Sequence, residues 1–387
     1  MKDGIVRGRR VWAEINLDNI IFNYAQARKL ARDSEMLCVI KADAYGHGAP
    51  QIAKALSGAG ADRFAVATAE EALQLRRYGF NQMILILGAV DPESVRLLAL
   101  NNIQVTINGL EAAEAYAKKL GAQRIGAHIK YDSGMSRMGL LSGDAVEHTL
   151  RIAKMLCFSI EGAFTHLAAA DTEAERQFTA EQIARFNNIT AELASRGFKP
   201  SLRHFANSAG IISSPAPLMD MARPGIMLYG YNPCDSARAV LKPALSLYTN
   251  IVQIKTLPPG ESVSYGRVWR SEGSSVIATA AVGYADGLFR ALSGKTHMLV
   301  HGRKARQVGR ICMDMCMLDV TDIQNVKVGD TAVIIGADGG ESITADDIAE
   351  TAGTISYEIL CGVGRRVPRA YIKDNRVVED ICYVNIL

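Results

Sequence analysis

No stretch of the 387-residue chain comes near the roughly 20 consecutive apolar residues that a bilayer-spanning helix needs. The opening Met1-Lys2-Asp3-Gly4-Ile5-Val6-Arg7 carries positive charge, but no apolar run of signal-peptide length follows it, so export is not expected. Cysteine is scarce and badly spaced for a framework. The seven residues Cys38, Cys157, Cys234, Cys312, Cys316, Cys361 and Cys382 form no CxxC pair and are odd in number. That argues against a disulfide scaffold and against a zinc site, and it fits a reducing cytoplasm. Charge of one sign is missing too: 43 basic and 40 acidic side chains are interleaved along the chain, for a formal +3. Neither nucleic acid nor an anionic membrane is implied as a partner. No solenoid repeat and no low-complexity segment is apparent.

What is present is material for real cores. Hydrophobic residues make up 49% and charged residues 21%, the balance of a folded enzyme and not of a disordered chain. The length exceeds one ordinary core, so two domains are expected.

Short apolar runs recur between residues 36 and 229: Met36 to Ile40, Arg63 to Ala67, Met83 to Leu87, Ile103 to Ile107, Gly126 to Tyr131, Phe158 to Phe164, Ser201 to Ala206 and Arg223 to Tyr229. Segments of helical character separate them, such as Ala69 to Tyr78 and Leu110 to Leu120, and Leu17 to Ala31 adds a helix before the first run. Eight strand–helix alternations predict an α/β fold, a (β/α)8 TIM barrel over residues 1–240. After Tyr231-Asn232-Pro233 the texture changes to strands with tight turns, as in Ser246 to Thr256, Ser275 to Ala281, His297 to His301 and Ala332 to Gly336. Pro259-Gly260, Asp286-Gly287, Gly329-Asp330 and Asp338-Gly339 punctuate this part, and only Thr344 to Ala352 reads as helix, opened by a threonine cap. Residues 241–387 are therefore expected to form a C-terminal β-rich domain.

Lys41 closes the first strand run, Leu37-Cys38-Val39-Ile40-Lys41. In a barrel this sets an amine at the C-terminal mouth, where a desolvated lysine can form a Schiff base with an aldehyde cofactor. A phosphate holder is visible as well. Arg223-Pro224-Gly225-Ile226 opens the eighth run and His204-Phe205-Ala206-Asn207-Ser208 ends the seventh, where barrel phosphate sites form. Backbone N–H groups near Gly225 can approach a phosphate closely, and the Ser208 and Tyr45 hydroxyls can donate to it. Taken singly, each of these is an ordinary strand-end or turn residue.

Together they carry a resemblance. Val39-Ile-Lys-Ala-Asp-Ala-Tyr-Gly-His-Gly48 resembles the cofactor-lysine motif of the alanine racemase family. The similarity extends through Lys130-Tyr-Asp-Ser-Gly-Met-Ser-Arg137-Met-Gly, Phe164-Thr-His166, Ala206-Asn207-Ser208, Arg223-Pro-Gly-Ile226, Ser264-Tyr265-Gly, Val282-Gly-Tyr-Ala-Asp-Gly287 and Gly309-Arg-Ile-Cys-Met-Asp314. Racemization needs a proton removed from one face of Cα and another delivered to the opposite face. The resemblance implies that Lys41, also the amine that joins pyridoxal 5′-phosphate, and Tyr265 are the two acid/base groups, with the cofactor as electron sink. A phenol, ordinarily with a pKa of about 10, needs neighbouring cations for this task, and Arg137, Arg223 and His166 are the candidates.

By the same resemblance Arg223 partners the pyridine nitrogen, with His166 behind it. An arginine donates there and cannot accept a proton, unlike a carboxylate, which makes the ring a weaker electron sink and disfavours transamination. Arg137 and the backbone N–H of Met313 would hold the substrate carboxylate. Tyr45, Asn207, Ser208, Gly225, Ile226 and Tyr357 would line the cofactor site, Tyr357 also narrowing the side-chain space. Lys130 falls where some relatives carry a carbamylated lysine that props the arginine; its alternative is an interior lysine paired to Asp132 or another carboxylate. The family's active unit is a head-to-tail homodimer with composite sites, in which Tyr265 and Met313 reach the partner's barrel. No metal is implied. One segment departs from the family pattern, Cys361-Gly362-Val363-Gly364-Arg365-Arg366-Val367-Pro368-Arg369, with Gly364-Arg365 where a Ser-Tyr pair is frequent.

The implied function is interconversion of L- and D-alanine, supplying D-alanine for peptidoglycan. Serine or broad-specificity racemization is the nearest rival, because a methyl and a hydroxymethyl differ by only about 1–3 kcal/mol in a pocket. A barrel-type pyridoxal-phosphate decarboxylase would use a glycine triplet for phosphate that is not found here. A non-catalytic pyridoxal-phosphate carrier would leave residues 240–387 without a purpose.

Overall fold

A computed structural model describes residues 9–214, 218–234 and 239–383; the N-terminal heptapeptide discussed above lies outside them. Contacts divide the chain into two compact units, one gathering Ile20–Ala44 with Ala49–Lys242, the other containing Tyr45–Gly48 and the chain from Pro243 onward.

The first unit is an eight-stranded parallel barrel, nearly closed. Its strands are, in spatial order, Met221–Ala222, Glu35–Val39, Arg63–Val66, Met83–Ile86, Gln104–Ile107, Ile125–Asp132, Phe158–Phe164 and Leu202–His204. Between the last and the first, the Arg223 N–H donates to Ala206 O at 2.9 Å and the Arg203 N–H to the Asp220 carboxylate at 2.8 Å. Strands covered on both faces read as unbroken apolar runs, and the last three residues of Arg63–Val66, Met83–Ile86 and Gln104–Ile107 are all buried. The helices lay one face on this wall: in Leu110–Leu120 the buried positions Leu110, Ala113, Tyr116 and Leu120 recur at helical spacing. Thr68 caps Ala69–Arg77 by accepting the Glu71 N–H, with acids in its first turn and arginines in its last.

Arg223 to Tyr229 is not a strand. The eighth strand is the dipeptide Met221–Ala222, and Ile226–Tyr229 winds into a 3-10 turn. Pro224 has no N–H to give a ladder, and Gly225 adopts φ −121°, ψ −100°, which turns the chain inward.

The second unit is built on a ten-stranded sheet. Its long member, Leu245–Leu257, pairs with Ser275–Ala280, Thr331–Asp338 and Val11–Asn16. Val11–Asn16 also runs parallel to Arg369–Lys373. The N-terminal strand, expected within residues 1–240 of the barrel, is thus hydrogen-bonded into the β-rich unit: Val11, Trp12, Ala13 and Ile15 are all buried there. A second helix, Ser356–Cys361, joins Ala345–Ala352 with its Thr344 cap, one more helix than the turn-rich sequence suggests.

The divergent tail segment is packed. Arg369 is 1% exposed and donates to the carbonyls of Gly46, Val363, Gly364 and Val367, while a Cβ at Gly364 would lie 3.2 Å from Ala285 O. Gly46 itself has φ +80°, and a Cβ there would sit 2.3 Å from Leu360 O. Gly46→Ala is expected to cost more than about 2 kcal/mol in urea unfolding, and Gly79→Ala, also at positive φ but in open space, about 1 kcal/mol. Equal losses would show that the close approach at Gly46 is not a constraint.

Candidate active site

Lys41 follows the strand Glu35–Val39 instead of closing it, and starts a turn unusual for its hand. Ala42, Asp43, Ala44 and Tyr45 all have φ of 52–53°, the left-handed helical region. Non-glycine residues there cost roughly 1–2 kcal/mol each, so the surroundings must hold the turn in place. They do so by hydrogen bonds: the Ala42 N–H donates to Glu71 Oε1 at 2.6 Å, the Ala44 N–H to Ile40 O at 2.9 Å, and the Ala49 N–H to the Asp43 carboxylate at 2.8 Å. The backbone that carries the Lys41 amine is therefore fixed.

Around this amine the barrel mouth collects cations. His128, Lys130 and Asp132 alternate on one face of Ile125–Asp132, and Arg137 lies one loop beyond. The Asp132 carboxylate accepts the N–H groups of Gly134, Ser136 and Arg137 at 2.9, 3.0 and 3.1 Å, which shapes the loop presenting Arg137. Burial, then Arg137 and Arg223, pull the Lys130 ammonium down to about 8, Asp132 opposing and Lys41 adding to the effect. His166 is held well below its ordinary value, first by burial and then by Arg223, Arg137, Lys130 and Lys41, so its ring is neutral.

Arg223 is 2% exposed. Its guanidinium donates to His204 Nδ1 at 2.6 Å, Thr165 O at 2.8 Å, Phe205 O at 2.9 Å and His166 Nδ1 at 3.3 Å, and lies 5.3 Å over the Phe164 ring. Burial lowers it to about 9, which leaves it charged at neutral pH. None of these hydrogen-bond partners is a carboxylate.

Beside it, the Ser208 Oγ accepts the N–H of Gly225 at 2.9 Å and of Met227 at 3.4 Å, so its own proton is left to donate outward. Asn207 Oδ1 caps the following turn through the Gly210 N–H, and Ile226 is buried next to Gly225. Lys41, Arg137, His166, Asn207, Ser208, Arg223, Gly225 and Ile226 thus share one unit.

The remaining predicted residues belong to the other unit and form two groups. Tyr45 and Tyr357 pack as tilted rings 5.9 Å apart, and burial keeps the Tyr45 phenol firmly protonated, a donor. Tyr265 and Met313 line a groove of about 630 Å³ together with Ser264, Cys312, Asp314 and Met315; Tyr265 is 71% exposed and Met313 53%. Ser264, at φ 68°, donates to Arg310 O at 2.6 Å and so fixes the start of the Tyr265 turn. The Tyr284 N–H donates to Cys312 O at 3.0 Å. A trans peptide then directs the Met313 N–H the opposite way, and that N–H has no acceptor among the described residues.

The sequence assigns no role to His204 or His128, although His204 lies within the run Ser201 to Ala206, and it offers Asp132 only as a possible partner of Lys130. Only their alignment across strands reveals them.

A parallel barrel whose mouth gathers a strand-end lysine, buried cations and a hydroxyl–amide cradle is the architecture of an enzyme for small anionic substrates. The chain belongs to the alanine racemase family: residues 15–233 match its N-terminal domain and residues 244–371 its C-terminal domain. It is 43% identical over 382 residues to alanine racemase 1 of Clostridium acetobutylicum, with 97% of this chain and 99% of the relative covered. The alanine racemase of Carboxydothermus hydrogenoformans is 42% identical over 369 residues, covering 94% and 100%. Among solved structures, alanine racemase from Bacillus anthracis with bound L-Ala-P superposes with a TM-score of 0.93 at 35% identity, covering 98% and 99%. The Clostridium difficile alanine racemase gives 0.93 at 37%, covering 98% and 100%. Membership of this family makes the chain an isomerase.

Lys130 supplies a pH test. Its folded-state value of about 8 lies below the ordinary 10.5, so the unfolded chain binds this proton more tightly. The penalty is full below about pH 8 and is relieved as pH rises toward 10.5. Urea unfolding of ligand-free protein should show Lys130→Met gaining stability relative to wild type at pH 7 and losing most of that advantage by about pH 10. A pH-independent difference would mean that Lys130 is not depressed.

Proposed function

We infer that the chain interconverts L- and D-alanine in the cytoplasm by a two-base reaction dependent on pyridoxal 5′-phosphate, providing D-alanine for peptidoglycan. The observation that carries this reading is the charge imbalance of the barrel mouth. Lys41, Lys130, Arg137 and Arg223 act together on His166, and of the groups acting on it or on Lys130 only Asp132 is an acid, already committed to three backbone N–H groups. Such a donor set fits a phosphate ester and a substrate carboxylate.

Lys41 would hold the cofactor covalently. Ser208, Gly225, Ile226, Tyr45 and Tyr357 would hold its phosphate, with Asn207 fixing the cradle. When bound, the cofactor supplies the electron sink that makes the substrate Cα–H acidic. Arg223 would donate to the pyridine nitrogen; being always a donor, it keeps that nitrogen unprotonated. His166 stays neutral and orients the guanidinium. Arg137 and the Met313 N–H would hold the substrate carboxylate, so that Cα is presented edge-on to two bases. Lys41 Nζ would serve one face of Cα and Tyr265 Oη the other, one taking the proton from its face while the other delivers its own proton to the opposite face, with the roles exchanged for the other enantiomer.

A homodimer completes the site. Tyr265 at 71% exposure, beside Met313 and Met315 at 53% and 47%, is a base displayed with exposed apolar side chains on the wall of a groove. Each copy would offer this face to the other's barrel mouth, a closed two-fold arrangement.

Deuterium uptake at Cα, measured from each enantiomer of alanine and serine with carbon dioxide followed in parallel, tests the reaction. Uptake with racemization and no carbon dioxide is expected, and carbon dioxide without loss of optical activity would eliminate the proposal. Tyr265→Phe should keep the cofactor absorbance and lose exchange mainly from L-alanine; equal loss from both enantiomers would contradict the face assignment. For the dimer, inactive Lys41→Ala and Tyr265→Ala chains are mixed and allowed to exchange. Mixed dimers regain one complete site, so about a quarter of wild-type activity should return. Sites built within single chains would return none.

A further inference from the structure

A line of side chains crosses the barrel interior from its base to Arg223. Gln104 Nε2 donates to Glu161 Oε2, and Gln104 Oε1 lies 3.1 Å from His128 Nε2. His128 Nδ1 is 2.9 Å from His204 Nε2, and His204 Nδ1 is 2.6 Å from Arg223 Nη1. The proton positions follow by elimination. A guanidinium only donates, so His204 Nδ1 accepts and Nε2 carries the proton; His128 Nδ1 then accepts, and its Nε2–H donates to the Gln104 carbonyl. That leaves the Gln104 amide to meet the Glu161 carboxylate. Every dipole points the same way, from a buried cation to an acid about one barrel length away.

The fold makes room for this line deliberately. Ala127 pairs with Ile160 and His128 with Gly162, so Glu161 is the extra residue of a bulge, which re-aims its side chain toward Gln104. A Cβ at Gly162 would lie 2.2 Å from His128 Nδ1, and one at Gly126 would lie 2.8 Å from Glu161 Oε1. Phe164 stacks on His204 at 4.8 Å with planes 5° apart, fixing the ring.

We propose that Glu161, acting through Gln104, His128 and His204, is a positioning residue that fixes the orientation of Arg223 and steadies its charge. This rests on the reading that Arg223 faces the cofactor nitrogen. Burial holds both histidines neutral, which keeps the line a row of dipoles and not of charges. Breaking it near the base removes the carboxylate's pull without touching anything at the mouth.

The test compares holoenzymes of wild type, Glu161→Gln, which removes charge but keeps the bonds, and Gln104→Met, which cuts the line. Three readouts are used: ring N–H signals of nitrogen-labelled histidine, kcat and KM for L-alanine, and the thermal midpoint. Wild type should show protected Nε2–H signals from His128 and His204. Glu161→Gln should shift both, and Gln104→Met should lose the His128 signal and shift that of His204. Both variants should lower kcat by about three- to thirty-fold with KM nearly unchanged. Unchanged ring signals and kcat in both variants would overturn the proposal, as would a lowered thermal midpoint with normal kcat, which marks a merely structural role. Arg223→Lys serves as the control. If it leaves the cofactor absorbance and kcat unaltered, the cofactor reading fails, while the ring signals still report whether the line exists.

Discussion

A guanidinium sealed inside a barrel with only neutral acceptors is what the rest of this molecule is arranged to tolerate. Removing a cation from water is costly, and the usual remedy is a carboxylate at contact distance. Arg223 instead takes two backbone carbonyls, two imidazoles and an aromatic face. This choice has a chemical consequence. A carboxylate there would turn the nearby field negative and would favour a protonated ring nitrogen on a cofactor held as proposed above, whereas a donor-only neighbour would leave that nitrogen unprotonated. The histidines must then be neutral, since a second positive charge on either would be intolerable, and burial ensures it.

The same constraint explains where the fold departs from regularity. The eighth strand is cut to two residues so that Pro224 and Gly225 can bend toward the Ser208 hydroxyl. Phe158–Phe164 carries a bulge, and Gly162 and Gly126 stand where a side chain would strike His128 and Glu161. In the β-rich unit the logic is different but the outcome similar: Gly283 lets the Cys312–Met313 peptide approach to within 2.3 Å of a Cβ position, and Arg366 ties Asp286 to Asp314, so the loop bearing Met313 is immobilised from beneath.

Much of the barrel was legible because parallel strands buried on both faces leave continuous apolar runs, as at Met83–Ile86. The eighth was misread because two strand residues leave no pattern, and the apolar Ile226–Tyr229 beside them mimics one. Lys41, Arg137 and Arg223 stood out in motifs, yet the left-handed turn after Lys41 could not be seen, since Ala42-Asp43-Ala44-Tyr45 contains no glycine to announce positive φ. The line from Glu161 to Arg223 was invisible for another reason. Its members lie on separate strands, and a one-residue change of register at the bulge would have separated them.

The placement of Val11–Asn16 bears on how the chain is made. Both neighbours of this strand, Leu245–Leu257 and Arg369–Lys373, emerge from the ribosome long after it does. At about 5–20 residues per second, on the order of 10–50 s pass before the first of them is available. Throughout that interval Trp12 and Ile15 are a sticky, unsatisfied edge while the barrel assembles downstream. Newly synthesised chains of this architecture are therefore expected to lean on a chaperone at their leading end, and a nascent-chain capture assay would locate the dependence there.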